Sequence, residues 1–520
     1  MTAVSKPVIS KSEPAREAAA RLKEFHELGA RGALCTEASE RLAIAAAENF
    51  LAHYRATGEY LSDAITLLAE IATLEEPCLS EPGQRATFPL LVERLSDSFE
   101  PALCEVYDRV FTQLITHCRA LPAGARLDAA LTNFGLHAEN DFLERKARLR
   151  RKTPWRDAAA QRAVRKVLVL SRVTLGAEVA VTSVVLKRAR NLFPEARRVL
   201  LGPAKTRELF GGGASLDIRD VPYRSSATLI ERLESWLDIV RAVQEEVGDL
   251  TPQEYVVIDP DSRYLQLGLL PALQDDSRYF FFESRRSGGD GSKTLSQLTS
   301  DWLNETFGGD ETAQPSVALR KQDQEFGQRM RRRLQAGGAR WLVAMSYGVG
   351  GNDEKRLGDP FEASLLARLI EEGCTVVLDQ GAGEEEFLRA GRLADSVRAR
   401  GGTVVEVTAE GGGTGVEDDA PLPCEMLTWR GGIGAWAGLI AASDEYIGYD
   451  SAGQHIAAAL GIPTVSLFSA NSTERFRQRW RPTGPGVLRV IVERDRTGDP
   501  ESAAAALEQA MAAHREIRSA

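Results

Sequence analysis

Asp444-Glu-Tyr-Ile-Gly-Tyr-Asp450-Ser-Ala-Gly-Gln-His455-Ile-Ala-Ala-Ala-Leu-Gly-Ile-Pro463 is the stretch on which the fold turns. It reads as a buried strand, a short polar turn and a helix, followed by a second strand from Thr464 to Phe468. The turn sets one carboxylate, one hydroxyl and small residues at a helix start, where free backbone N–H groups and the helix dipole favour an anion. Ala452 and Gly453 leave the backbone open to close approach by a ligand. In open α/β sheets such a turn, outside the carboxyl end of a parallel strand, is where nucleotides or their phosphates bind. An ordinary strand-to-helix turn with Ser451 or Asp450 as N-cap is the alternative.

From about Arg165 onward, short apolar runs alternate with amphipathic stretches. Val167–Leu170, Val199–Leu201, Tyr255–Ile258 and Tyr279–Phe282 form one strand-like series. A second series comprises Trp341–Met345, Thr375–Leu378, Thr403–Val407, Tyr446–Gly448, Thr464–Leu467 and Leu488–Val492. Strands alternating with helices imply parallel sheets covered on both faces. The expected architecture is α/β: two facing Rossmann-like domains, roughly 160–320 and 335–500, with a closing helix over 501–520. Residues 1–150 read as helical throughout, in segments such as Pro14–Leu28, Glu37–Thr57, Tyr60–Leu74 and Phe88–Cys118. The basic run Arg145-Lys-Ala-Arg-Leu-Arg150-Arg-Lys152-Thr-Pro-Trp155-Arg156 ends this region. It reads as a solvated helix face, with a peripheral contact to anionic lipid of the inner membrane as the alternative.

Composition narrows the function classes. The 520 residues carry a net charge of −10, with an isoelectric point near 5.4, against the basic field of a nucleic-acid binder. Six cysteines without paired CxxC spacing indicate neither a zinc site nor a disulfide framework. No run approaches the apolar length of a membrane span and the polar start Met1-Thr-Ala-Val-Ser-Lys is not that of a signal peptide, so a cytoplasmic location is expected. Between Arg145 and Pro500 the single histidine is His455. Chemistry there must rest on carboxylates, basic groups and backbone, unless His455 takes part.

Three further segments carry candidate chemistry. Ser346-Tyr-Gly348-Val-Gly-Gly351-Asn-Asp-Glu-Lys355 follows a strand, so backbone amides can face phosphate oxygens while Lys355 brings a mobile positive charge. A flexible surface loop is the alternative, and GxxxxGK[ST] is absent. Asp379-Gln-Gly-Ala-Gly383-Glu-Glu385-Glu-Phe-Leu-Arg389 joins a strand to a Glu-rich helix start, where acidic residues are ordinary complements to the dipole. Ser171-Arg-Val-Thr-Leu-Gly176-Ala-Glu178-Val-Ala-Val-Thr182 places an acid at the first unit's strand-to-helix junction.

The 444–463 segment resembles the second-domain signature of glycosyltransferase family 9, the ADP-heptose:lipopolysaccharide heptosyltransferases. Asp450, Ser451, His455, Ala458, Ala459, Leu460 and Pro463 fit that signature in register. The resemblance covers roughly 165–495 and implies the GT-B arrangement. It also implies metal-independent, inverting transfer of a heptose-like sugar from an ADP-heptose-like nucleotide donor to a glycan or lipid-linked acceptor hydroxyl, in lipopolysaccharide-type synthesis. No cofactor is implied, and the Asp259-Pro-Asp261 spacing lies in the first domain, where it is read as structural. By the resemblance, Glu178 answers to the family's general-base aspartate across one inserted residue and would deprotonate the acceptor, although the same residue can simply favour the helix N-terminus. Ser346, Gly348 and Lys355 answer to its diphosphate loop, and Glu385 to its ribose contact. Asp450, Ser451, Ala452, Gly453 and His455 answer to the donor turn. A GT-B-shaped protein that binds the nucleotide sugar without transferring it is the alternative function, motivated by Gly-Ala-Glu where Gly-Asp is usual. A hydrolase or epimerase on nucleotide sugars is a third.

Overall fold

The computed structural model describes residues 12–224, 228–288, 291–350, 352–408, 419–494 and 499–520, so Met1 to Lys6 and Gly351 lie outside them. The first apolar series forms a parallel sheet of β1 (Lys166–Leu170), β2 (Arg197–Gly202), β3 (Leu216–Asp220), β4 (Tyr255–Asp259) and β5 (Tyr279–Phe281). Its order is β3-β2-β1-β4-β5. Val167 to Leu170 are all buried, as expected of a strand covered on both faces. β3, absent from the sequence reading, is an edge strand; in Leu-Asp-Ile-Arg-Asp only Ile218 is buried. Its charges suit an edge, and its burial is too slight to leave an apolar run.

The second sheet holds β6 (Leu342–Ser346), β7 (Thr375–Asp379), β8 (Val404–Thr408), β9 (Met426–Arg430), β10 (Glu445–Tyr449), β11 (Thr464–Phe468) and β12 (Leu488–Val492). All its pairings are parallel, in the order β12-β11-β10-β6-β7-β9-β8. These two sheets are the expected pair of Rossmann-like elements of a GT-B chain. The strand order reverses between β1 and β4 in one sheet and between β6 and β10 in the other, and each reversal opens a crevice at the carboxyl ends.

Both sheets belong to one compact unit, residues 152–222, 241–263 and 275–520. One apolar core runs through both, from Val167, Leu200 and Phe280 to Trp429, Trp436 and Ile456. Within it, helix Lys321–Ala336 packs on helix Ile433–Ala441 almost backbone to backbone. A side-chain carbon on Gly327 would stand 2.0 Å from the Gly438 carbonyl oxygen, so only glycine permits this approach. The closing helix, Pro500–Ser519, buries His514, whose Nδ1 lies 2.6 Å from Glu445 Oε2 and whose Nε2 lies 3.5 Å from Cys374 Sγ.

The other compact unit joins residues 1–151 to 223–240 and 264–274. Its described part is helical, as expected, with helices Glu13–Ala30, Thr36–Thr57 and Ser62–Ala72 close to the anticipated spans. The expected helix Phe88–Cys118 is broken: Phe99 takes φ 56° and a new helix starts at Pro101, whose missing amide suits a first turn. Trp236 is fully buried here and donates its indole N–H to Pro271 O at 2.7 Å. The basic run is a solvated face only in part, with Arg148 and Arg151 exposed. Arg145 donates to Gly268 O at 2.9 Å, while Lys146 and Arg150 hold buried Asp108 at 2.6 and 2.9 Å. A lipid-contact reading therefore loses these three cations. Among the described residues no helix is long and apolar enough to cross a membrane.

Candidate functional site

The β6/β10 reversal brings Lys355 and Asp450 together. β10 ends in the Asp450–Ser451 turn, and helix Ala452–Leu460 begins with Ser451 extended at φ −151° and making no side-chain cap. Asp450, 7% exposed, accepts from Lys355 Nζ at 2.9 Å through Oδ2 and from Gln454 Nε2 at 2.7 Å through Oδ1. Lys355 ends the short turn Asp353–Lys355 after β6, with its Nζ 5.2 Å from the centre of the Phe476 ring. That turn is tied down from the far side of β10, because Ser469 Oγ and Asn471 Nδ2 donate to Glu354 O at 2.6 and 3.2 Å. A cation, an acid and a helix N-terminus thus share one crevice, where fixed charge and free amides suit a phosphate ester.

Gly453 has another reason to be glycine than ligand approach. A side-chain carbon there would fall 2.2 Å from Tyr446 Oη, and one at Gly448 2.4 Å from it. The fully buried Tyr446 ring fills this space. Ala452 instead meets the first sheet's side: a side-chain carbon on Gly176 would stand 3.6 Å from Ala452 Cα and 3.2 Å from His455 Cδ2. His455 is buried edge-on against Trp480, ring centres 5.8 Å apart. Burial pulls its pKa down to about 4, so it is neutral at physiological pH.

Beside this crevice, β6 and β7 present Ser346, Asp379 and Glu386. Ser346 Oγ donates to Asp379 Oδ2 at 3.2 Å, and Gly381 N donates to Oδ1 at 3.2 Å. Burial pushes Asp379 up to about 6, with the Glu386 charge adding to the shift. Glu386 collects amides from both loops: Val349 N at 3.1 Å and Gly350 N at 3.4 Å, Ala382 N at 3.0 Å and Gly383 N at 3.3 Å. Gly348 lies alongside, where a side-chain carbon would be 3.0 Å from Glu386 Oε1. Glu385, the residue singled out from the sequence, is exposed. The signal for Glu386 was present: it is the third helical residue after the Gly383 cap, the position that reaches back to the cap amide. The cavity lined by Tyr347, Gly348, Asp379, Glu386 and Arg389 measures about 10 Å³, room for roughly one water.

At the first sheet's reversal, Glu178 is fully buried. Its Oε1 accepts from Ser171 Oγ and, at 2.7 Å, from Val173 N. Val173 sits at φ 75°, a strained conformation for a β-branched residue. Burial raises the Glu178 pKa against the opposing pull of Ser171, Thr182 and the Val173 amide. Arg172 donates to Pro260 O at 2.9 Å and Ser284 Oγ at 2.6 Å, and Arg285 lies 3.1 Å from Asp261. Asp259 accepts from Tyr279 Oη and from Ser262 N at 2.6 Å, with burial pushing it up to about 7. Both aspartates of the DxD spacing are thus engaged within the first sheet's loops. Among the described residues no group of three or more His, Cys, Asp or Glu is placed to hold a metal ion.

Residues 423–501 match the model of glycosyltransferase family 9 (heptosyltransferase), a segment that holds β9 to β12 and the donor turn. The resemblance read in the sequence is borne out there. Among curated proteins none matches. A family 9 glycosyl transferase of Veillonella parvula is similar at 14% identity over 70% of this chain and 99% of its own, with a TM-score of 0.49. E. coli ADP-heptose lps heptosyltransferase II is similar at 15% identity over 68% and 99%, with a TM-score of 0.43. E. coli heptosyltransferase WaaC, solved with ADP, is similar at 14% over 68% and 99%, again with 0.43. At such distances the fold rests on the strand order described above.

Proposed function

We propose that this protein is an inverting glycosyltransferase moving a heptose-like sugar from an ADP-heptose-like donor to a hydroxyl of a glycan or lipid-linked acceptor, in the cytoplasm and in lipopolysaccharide-type synthesis. The observation that carries the reading is the meeting of Lys355, Asp450 and the start of helix Ala452–Leu460 at the β6/β10 reversal, inside or beside the family-matched segment. The donor diphosphate lies against Lys355 and the amides of Ala452 and Gly453, which meet the charge building on the leaving group without a metal. Asp450 holds donor-sugar hydroxyls and Ser451 flanks the turn. Glu386 takes the ribose contact, releasing its amides to the phosphate side; Ser346 and Gly348 shape that loop. His455 stays neutral and packs the turn.

The acceptor lies over the first sheet. Glu178 takes the acceptor proton as the acceptor oxygen bonds to the anomeric carbon and the carbon–oxygen bond to the diphosphate breaks. A raised pKa suits a base, and the carboxylate reaches the acceptor once the Ser171–Val173 loop that covers it moves aside. The test is donor turnover with acceptor in wild type and Glu178→Gln. A rate loss of a hundredfold or more with donor affinity retained supports the enzyme. Tight donor binding with no turnover in either protein supports the alternative, a nucleotide-sugar-binding module, which the complete burial of Glu178 favours.

A further inference from the structure

Among the described residues three large apolar side chains are exposed, and two of them, Phe387 at 36% and Leu388 at 53%, are consecutive. They occupy the start of helix Glu384–Ala399, immediately after Glu386. The guanidinium carbon of Arg430, the last residue of β9, lies 4.4 Å from the centre of the Phe387 ring. β9 pairs with β7, which pairs with β6, which pairs with β10. Three groups therefore follow one another along a single carboxyl edge. At β10/β6 stand the cation, the acid and the helix N-terminus. At β6/β7 stand Ser346, Asp379 and Glu386, and at β7/β9 stand Phe387 and Arg430.

Neighbouring strands are about 4.8 Å apart, so the first and third groups are separated by about 10 Å. That is the reach of a nucleoside diphosphate from its terminal phosphate to its base, with the ribose over the carboxylates between. A solvent-facing aromatic ring flanked by a guanidinium suits a flat, polarisable partner that stacks.

We propose that Phe387, flanked by Arg430 and Leu388, is the shelf on which the nucleobase of the donor stacks. The inference rests on the donor reading given above and adds to it the orientation of the nucleotide along the sheet edge. A shelf that grips a π-face grips the larger purine more firmly than a pyrimidine.

The test is isothermal titration of the full chain with ADP, UDP and inorganic pyrophosphate. Wild type binds ADP more tightly than UDP, and UDP more tightly than pyrophosphate. Phe387→Ala weakens ADP binding about tenfold, the usual scale for losing one stacked base, and leaves pyrophosphate binding and Tm unchanged; Phe387→Trp restores ADP binding. Equal ADP affinity in Phe387→Ala and wild type overturns the shelf, as does an equal loss of pyrophosphate binding. A wild type that binds pyrophosphate as tightly as ADP overturns the shelf but leaves the donor site standing. A wild type that binds none of the three overturns the donor reading itself.

Discussion

Gly453→Ala separates two reasons for a glycine in the donor turn: room for a ligand, or room for Tyr446. The added carbon would stand 2.2 Å from Tyr446 Oη, 2.7 Å from Cζ and 2.9 Å from Cε2. Ordinary carbon contacts begin near about 3.5 Å, so a fully buried ring must retreat by about 1 Å. Overpacking of this kind costs roughly 1–3 kcal/mol. The gain in helix propensity from Gly to Ala offsets up to about 1 kcal/mol, leaving a net loss of about 1–2 kcal/mol. Tyr446→Val alone opens a cavity and costs about 3 kcal/mol. In the double variant the methyl occupies part of that cavity, so its cost falls below the sum by at least about 1 kcal/mol. Urea denaturation of the four proteins measures this coupling. Costs additive within about 0.4 kcal/mol, or a Gly453→Ala protein of wild-type stability that only binds nucleotide less well, would show that Gly453 does not make room for Tyr446.

Three other perturbations have defined outcomes. His514, held by Glu445 and Cys374, has its pKa raised to about 9 in the folded chain, against about 6.5 unfolded. Its contribution is therefore full below pH 6.5 and lost as pH rises through 9. Urea stability should fall by on the order of 3 kcal/mol across that window, and His514→Gln should flatten the fall. His455, pulled down to about 4, should show no ring titration by NMR between pH 5 and 8; a midpoint near 6.5 contradicts its burial. Removing residues 1–151 should yield an aggregating protein, because Trp236, Leu265, Leu269 and Leu270 belong to that compact unit. Each loses on the order of 2 kcal/mol of burial, and a soluble monomer by light scattering contradicts the shared core.

β1 was legible because Val167–Leu170 is a continuous run of Val and Leu, and β11 because Val465, Leu467 and Phe468 follow directly on the Pro463 that ends the preceding turn. β3 and β9 were not. β3 is an edge with one buried residue, and β9 is five residues in which Thr428 and Arg430 interrupt the apolar pattern. In the site, the sequence put Lys355 and Asp450 at the ends of separate strands. Their pairing across 95 positions follows from β6 and β10 becoming neighbours, which spacing alone does not encode. Glu385 and Glu386 differ by about 100° of helix phase, and the backward reach of the carboxylate at the third helical residue decides which one faces the amides. The burial of Glu178 depends on the Ser171–Val173 loop folding over it, a strained conformation that no residue type there announces.

A crystal structure with a bound nucleoside diphosphate sugar shows whether the diphosphate lodges at the β6/β10 reversal. The expected result is phosphate oxygens about 3 Å from Lys355 Nζ and from the Ala452 or Gly453 amide. A nucleotide bound elsewhere, with Lys355 still closed on Asp450 and the turn untouched, would contradict it.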